Sequence, residues 1–178
     1  MEPCGVADTP QSLTLKENRD ATEVYELGAR RVFFALVTIV LLLGLVNTFG
    51  QSPTGSEVEA PAARLEVSAP VDVRGGLYFQ GRFRITAHEE IAKATLVLAP
   101  GWLESMHINT IEPSPVGEAS RGGELALDFG HVAAGDSITV YLQFQVNPNN
   151  LGRKSQDVRL YDDTELLATA QRDVTIWP

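Results

Sequence analysis

The feature that most constrains this chain is an apolar run over residues 32–46, interrupted only by Thr38 and Gly44. Extended by the three residues that follow, the run has 18 residues, which is about 27 Å as an α-helix against a hydrocarbon core of roughly 30 Å. A buried helix of a soluble core normally keeps a polar stripe at 3.6-residue spacing, and this run has none. The run therefore predicts one transmembrane helix, flanked by Arg30 and Arg31, whose charges are expected to lie among the lipid headgroups.

A cleaved signal peptide is the alternative for the same run, because Thr48 and Gly50 are small residues that suit a cleavage site. Signal peptides have a short basic leader, whereas 31 residues precede this run, so we expect an uncleaved signal anchor. The positive-inside rule orients it, since Arg30 and Arg31 abut one end and the first base beyond the other end is Arg64. The sequence thus predicts a single-pass protein of the cell membrane, with a cytoplasmic N-terminus and an extracytoplasmic C-terminal part.

Composition changes along the chain divide it into four regions. Residues 1–19 are polar without a sustained period and are predicted to form a cytoplasmic tail. Residues 20–49 are predicted to form one helix, which begins at the capping box that Asp20 opens and continues into the transmembrane segment. Residues 50–63 are rich in Pro, Gly and Ser and are predicted to be a flexible linker. Residues 64–178 are the only part long enough to bury a core of its own, and we expect an extracytoplasmic domain there.

In that last region the hydrophobic period changes to two. Over residues 138–146 Ile, Val, Leu and Phe alternate with Thr, Tyr and Gln, and the same alternation occurs over 124–129 and 79–87. Weaker strand patterns lie at 64–69, 91–98, 104–111, 154–161 and 165–177. About eight short strands with turn residues between them predict an all-β fold, an antiparallel sandwich of two sheets.

Turn and strand sequences between Pro100 and Gly152 follow a family pattern. They are Pro113-Ser114-Pro115, Ala133-Ala134-Gly135 and the alternating strand over 138–146. With them the stretch resembles the "conserved repeat" domain of bacterial cell-surface proteins, which implies an immunoglobulin-like fold for the sandwich. The whole layout also resembles small single-pass proteins of unknown function in high-GC bacteria. Neither resemblance supplies a catalytic residue.

Composition argues against several classes of function. The one cysteine, Cys4, rules out an intrachain disulfide framework and a metal cluster that needs several cysteines. The net charge of -9 and the pI of about 4.8 argue against a nucleic-acid partner, because phosphate binding needs clustered positive charge. The sequence contains no Gly-x-x-x-x-Gly-Lys-Ser/Thr phosphate loop, and we expect no cofactor.

The sequence contains fragments of catalytic motifs, but each lacks a residue that the motif needs. His88-Glu89-Glu90 begins like a zinc-protease motif, but Ala92 stands where the second histidine is needed. The histidines share no metal-ligand spacing, and Ser120 lacks the Gly-x-Ser-x-Gly frame of a nucleophile elbow. We therefore expect no enzyme, and an exported hydrolase is the least favoured reading.

Two groups of charged residues and one pair of small residues are candidates for binding. Asp162, Asp163 and Glu165 offer hard oxygens for a weak calcium site, although such a cluster is more commonly a solvated hairpin tip. The basic cluster outside the membrane, suited to anionic headgroups or wall polymers, consists of Arg153, Lys154 and Arg159. Gly44 and Thr48 form a small-x-x-x-small pair that allows close contact with a second helix, of another protein or of a second copy.

These patterns lead to two functional hypotheses. The first is a membrane-anchored, non-catalytic accessory protein, whose helix packs in the lipid bilayer on a multi-pass partner and whose β-sandwich makes extracytoplasmic protein contacts. The alternative is an anchored binding domain for an extracellular polymer or for calcium.

Overall fold

The structure, a computed structural model, describes residues 18–46, 51–149 and 151–178, with side chains from residue 25 onward. It divides into two compact units, Met1–Gly50 and Gln51–Pro178. The boundary falls where the apolar run of the sequence ends.

The first unit contains helix α1, Asn18–Leu45. The helix starts two residues before the predicted capping box, so Asp20 lies inside the helix and not at its N-cap, a shift within the usual uncertainty of helix ends. Its segment Tyr25–Leu45 is long and apolar enough to cross a membrane, a test that a signal sequence near the N-terminus also passes. The predicted last turn of the span, which includes Thr48, lies outside the described residues.

The second unit is built from β-strands and one short 3₁₀ turn, Pro100–Trp102. Its described part contains strands β1 Pro53–Glu59, β2 Ala63–Pro70, β3 Asp72–Arg74, β4 Tyr78–Ala87, β5 Ala94–Leu98, β6 Met106–Glu112, β7 Gly117–Arg121, β8 Glu124–Asp128, β9 Ser137–Val146, β10 Gly152–Ser155, β11 Val158–Asp162, β12 Glu165–Ala170 and β13 Asp173–Trp177.

These strands form three sheets. The front sheet has the order β1-β2-β4-β9-β6, and the back sheet has the order β12-β11-β5-β8-β7. A small sheet of order β10-β13-β3 contains the one parallel pairing among the described strands, between β13 and β3. All other pairings are antiparallel, as the prediction of an all-β antiparallel sandwich required.

The alternating sequence pattern decides which side chains enter the core. Along β4 every second residue is buried, and the partner strand β9 follows the same rule from Val140 to Val146. Trp102 is fully buried in the core between the sheets. The centroid of its ring lies 5.3 Å from that of the Phe83 ring and 5.1 Å from that of the Phe144 ring. The fold is therefore an immunoglobulin-like β-sandwich preceded by an apolar helix.

The predicted linker over residues 50–63 is wrong for most of its length. Residues 53–59 form β1, which pairs along its whole length with β2. Its pattern is polar because β1 is an edge strand that buries little, and only Val58 packs against the core. Main-chain hydrogen bonds to a neighbouring strand, which composition does not reveal, make this segment part of the domain.

Two of the weaker predicted strands are each divided in the structure. The stretch 154–161 breaks between β10 and β11, and 165–177 breaks between β12 and β13. Both breaks occur where the chain passes from one sheet to another, and they are joined by a 2.8 Å hydrogen bond from Gln156 N to Arg172 O. Two further strands, β3 and β7, lie in segments where no strand was predicted.

Candidate functional site

A groove of about 460 Å³ lies on the front sheet, at the end where β1 begins, β2 ends and β4 begins. The strand register places Ser68, Arg82 and Tyr141 in one row across β2, β4 and β9. Because side chains alternate between the two faces, Phe83 enters the core while Arg82 and Tyr141 face outward. The other residues that line the groove are Gln51, Pro53, Pro70, Tyr78, Phe79 and Gln80.

Six of the nine described residues that line this groove carry a side-chain hydrogen-bond donor, and none of the nine is acidic. The exposed Arg82 forms no ion pair with a carboxylate anywhere in the described part of the chain. The side-chain nitrogen of Gln51 is shielded from solvent and also has no hydrogen-bond partner there. A donor-lined groove with an unpaired guanidinium suits an acceptor group, above all a carboxylate.

Half of the basic side chains of the second unit, five of its ten Lys and Arg residues, are paired with acids. The side chains in ion pairs are Arg64, Lys93, Arg153, Lys154 and Arg159. The other five form no ion pair within the described residues, and among them Arg82 is the one that lines the groove.

The predicted basic cluster of Arg153, Lys154 and Arg159 does not form a free patch. Two of these residues lie in the small sheet and the third in the back sheet, and each contacts a carboxylate. The hydrogen bond from Arg159 to its carboxylate partner raises the pKa of the guanidinium. The pairs are Arg153–Asp173 at 2.7 Å, Lys154–Glu104 at 2.9 Å and Arg159–Glu124 at 2.6 Å.

The predicted calcium ligands Asp162, Asp163 and Glu165 lie at the tip of the β11–β12 hairpin, which agrees with the solvated-tip alternative. Asp162 Oδ1 accepts a 2.8 Å hydrogen bond from Lys93 N, and Lys93 Nζ lies 3.8 Å from Asp163 Oδ1. Arg121 donates to the main-chain carbonyl of Asp163 at 2.8 Å. Across the described ranges, no group of three or more His, Cys, Asp or Glu side chains is placed to hold a metal ion.

The histidines lie in separate places. His88 Nε2 contacts Glu59 Oε1 at 2.7 Å, and His131 Nε2 contacts Glu90 Oε1 at 3.0 Å. His107 belongs to the edge strand β6. Each of the first two histidines has its own carboxylate neighbour, and the structure does not bring the three together.

On α1 the predicted membrane-flanking residues and the helix-contact residue Gly44 are exposed, whereas Thr48 lies outside the described residues. The Arg30 guanidinium lies 5.6 Å from the centroid of the Phe34 ring, and Arg31 is exposed beside it in sequence. A Cβ built on Gly44 meets nothing within 4 Å, so its face of the helix is uncovered by this chain. The Thr38 hydroxyl donates to Phe34 O at 2.8 Å, and its polar group is therefore satisfied inside the helix.

A buried polar group that the sequence patterns did not indicate lies behind the core tryptophan. Arg172 is buried and donates to Ala69 O at 2.8 Å and to Pro70 O at 3.1 Å, with its guanidinium 5.3 Å from the Trp102 ring. Burial lowers the pKa of Arg172 to about 10. The two accepting carbonyls and the ring hold the charge in place, so this arrangement ties the end of β2 to the β12–β13 connection.

Comparisons with known proteins found distant likenesses to solved structures only. No protein-family model matches the chain, and no curated protein matches its sequence. CaCohA2 from Clostridium acetobutylicum is similar over 66% of this chain and 92% of its own, at 12% identity and a TM-score of 0.43. PapD-like domain 7 of human CEP192 is similar over 67% of this chain and 87% of its own, at 10% identity and a TM-score of 0.33.

A third solved structure, the Pseudomonas fluorescens alkylpurine DNA glycosylase AlkC bound to DNA containing an abasic site analog, is similar over 60% of this chain. The match covers 28% of the glycosylase chain, at 16% identity and a TM-score of 0.29. At these identities and TM-scores the likenesses show nothing of what this chain does.

Proposed function

We propose that this protein is a single-pass, membrane-anchored, non-catalytic accessory protein. Its helix packs in the bilayer against another integral membrane protein, and its β-sandwich contacts a protein partner outside the cytoplasm. The observation that carries the proposal is the exposed apolar surface of α1, joined in sequence to a sandwich with a donor-lined groove.

The helix supports a bilayer environment through its composition and its exposure. The segment Tyr25–Leu45 has 21 residues, a mean hydropathy of 1.9, and no part of it is buried by the chain. Twenty-one residues extend about 32 Å as an α-helix, enough for a hydrocarbon core of roughly 30 Å. An apolar surface of this extent is stable only in lipid or against another protein.

The non-catalytic part of the proposal is supported by how the polar groups are used. Of the side chains that the motifs singled out, His88 and His131 each contact a different glutamate, and Asp162 accepts a hydrogen bond from Lys93 N. Ser120 lies on the exposed edge strand β7. The groove supplies Arg, Tyr and Gln side chains, which are typical of binding surfaces.

Orientation is tested by cysteine labelling in intact cells. The arginines at residues 30 and 31 favour a cytoplasmic N-terminus, so a Ser120→Cys variant is expected to react with a membrane-impermeant maleimide. The native Cys4, at the opposite end of the helix, is expected to react only after the membrane is permeabilised. The reverse pattern would reject the orientation, and a mature chain that starts near Gln51 would reject the anchor.

Contact between α1 and a partner helix is tested at Gly44. A Gly44→Leu variant fits in this chain, because nothing lies within 4 Å of the added Cβ, but the larger side chain prevents close approach of a second helix. After extraction in mild detergent, mass spectrometry is expected to find a membrane protein in stoichiometric amount with the native chain. With the variant, the recovered amount of that partner is expected to fall at least roughly fivefold.

Gly28→Leu is the matched control, since Gly28 is equally open but lies before the arginine pair, outside the apolar run. It is expected to retain the partner. Recovery of the native chain as a clean monomer, or equal loss of the partner in both variants, would contradict the proposed packing. Recovery of a dimer of the chain instead would assign the Gly44 face to a second copy.

A further inference from the structure

We infer that the groove on the front sheet binds a carboxylate carried by a short extended segment of a partner protein, with Arg82 as the residue that pairs with it. This inference rests on the proposed function, because it specifies the chemistry of the partner that the β-sandwich contacts. It assigns a binding role to residues that no sequence motif singled out.

Charge is the first support. The part of the chain after Gly50 has ten basic and 17 acidic residues, so a basic side chain near an acid is the expected arrangement. Arg82 is one of five bases that form no ion pair within the described residues, and it is the one that lines a groove whose described walls contain no acid. The planar guanidinium presents two parallel N–H groups, which match the two oxygens of a carboxylate.

Unsatisfied donors are the second support. The side-chain nitrogen of Gln51 is shielded from solvent without a hydrogen-bond partner among the described residues, although such groups are normally paired. It lines the same groove as Arg82, together with the phenol groups of Tyr78 and Tyr141. A rotation of the Gln51 side chain toward the groove would offer this donor to an acceptor bound there.

The size and walls of the groove indicate a peptide segment. Its volume of about 460 Å³ lies in the range of sites that enclose a drug-sized ligand, and is too small for a globular surface. Pro53 and Pro70, which face each other across β1 and β2, supply rigid apolar walls. Tyrosine and arginine are also the residues that most commonly dominate binding energy at protein interfaces.

Anionic lipid headgroups are the competing occupant, because Gln51 and Pro53 lie within three residues of Gly50 in the sequence, close to the proposed anchor. Headgroup sites typically contain several Lys or Arg side chains, whereas Arg82 is the only base among the described residues lining the groove. The excess of acids after Gly50 also disfavours an anionic bilayer surface. The observations therefore favour a single carboxylate from a protein.

The test titrates the full chain, in phosphatidylcholine nanodiscs, with defined peptides. The first probe is acetyl-Gly-Glu-Pro-Gly-amide, the second contains Gln for Glu, and the third is acetyl-Gly-Gly-Pro-Gly with a free carboxyl end. Binding is followed by NMR through the Arg82 Nε–H signal and the Gln51 side-chain amide signal. We expect both signals to shift with a carboxylate peptide, and the Gln peptide to bind about tenfold more weakly or not at all.

The variant Arg82→Gln is expected to reduce affinity for the carboxylate peptide about tenfold or more. Arg84→Gln is the matched control, because Arg84 is the next outward residue of β4 but does not line the groove. It is expected to bind normally. Both side chains are exposed, so thermal unfolding of the two variants should match that of the native chain.

Each outcome decides the inference. Selective binding of either carboxylate peptide supports it, and the comparison of the first and third probes assigns the carboxylate to a side chain or to a chain end. Equal affinity for the Glu and Gln peptides, equal loss in both variants, or no shift at all would overturn it. So would an Arg82 shift seen in phosphatidylglycerol nanodiscs without peptide that the carboxylate peptide fails to displace.

Failure of this site is distinguishable from failure of the proposed function. If the native chain retains a membrane partner in detergent but the peptides do not bind, the groove assignment fails and the accessory role stands. If the peptides bind but the chain extracts as a monomer, the site stands and helix packing on a partner fails.

Discussion

Replacement of Trp102 by alanine is expected to lower the free energy of unfolding of the β-sandwich by about 4 kcal/mol. Trp102 is fully buried, and its ring packs between those of Phe83 and Phe144. Its Nε1 also donates to Gln156 O at 2.9 Å, and that buried carbonyl would lose this donor. The variant thus loses buried apolar area, opens a cavity between the sheets and removes a hydrogen bond.

The measurement is chemical unfolding of the full chain in micelles, followed by far-UV circular dichroism of the sheet signal. Trp177→Ala is the matched control, because Trp177 is 55% exposed and its Nε1 bonds to Asp72 at the surface. We expect the control to cost less than about 1 kcal/mol. Similar losses in both variants would show that Trp102 does not close the core.

The second large effect is expected for Gly101→Ala. A Cβ at this position would lie 2.0 Å from Ser155 O, a main-chain atom of β10. Because no side-chain rotation relieves this overlap, the 3₁₀ turn must move away from β10, and with it Trp102. We expect a loss of about 3 kcal/mol in the free energy of unfolding, at the upper end of the cost of overpacking.

Gly55→Ala controls for the change of residue type. Gly55 lies on β1, where an added Cβ meets nothing within 4 Å. The loss of unfolded-chain entropy should make this variant neutral or slightly stabilised. Thermal unfolding of the two variants side by side tests the close approach, and a Gly101→Ala variant as stable as the native chain would contradict it.

Strands in which apolar and polar residues alternate regularly were predictable from the sequence. Alternation over 138–146 and 79–87 corresponds to β9 and β4, which are the centre of the front sheet. Their inward residues are apolar because one face of an antiparallel sheet packs on the core and the other faces solvent. That relation is local along each strand, so periodicity alone identifies it.

Segments whose structure depends on distant partners were not predictable in this way. The strand β1 is polar and resembles a linker, and it becomes a strand by pairing with β2. The breaks within 154–161 and 165–177 arise because those strands change sheets, which depends on contacts between Gln156 and Arg172 rather than on either local pattern.

The candidate site shows the same division. The sequence pattern predicted that Arg153, Lys154 and Arg159 form a free basic cluster. Each of them is instead paired with an acid from another part of the chain, which the local sequence does not show. Conversely, the sequence shows Arg82 only as one of several polar residues on the outward face of its strand. Strand register places it beside Tyr141 and near Gln51, and this proximity makes it distinctive.

The sequence by itself determined the apolar helix, the acidic character of the domain and the all-β class, because composition and short-range periodicity encode them directly. The tertiary structure decided where the domain begins, which charges are neutralised and which one remains directed into a groove. These depend on pairings between residues far apart in the chain, and a guanidinium is neutralised only where the fold places a carboxylate within reach.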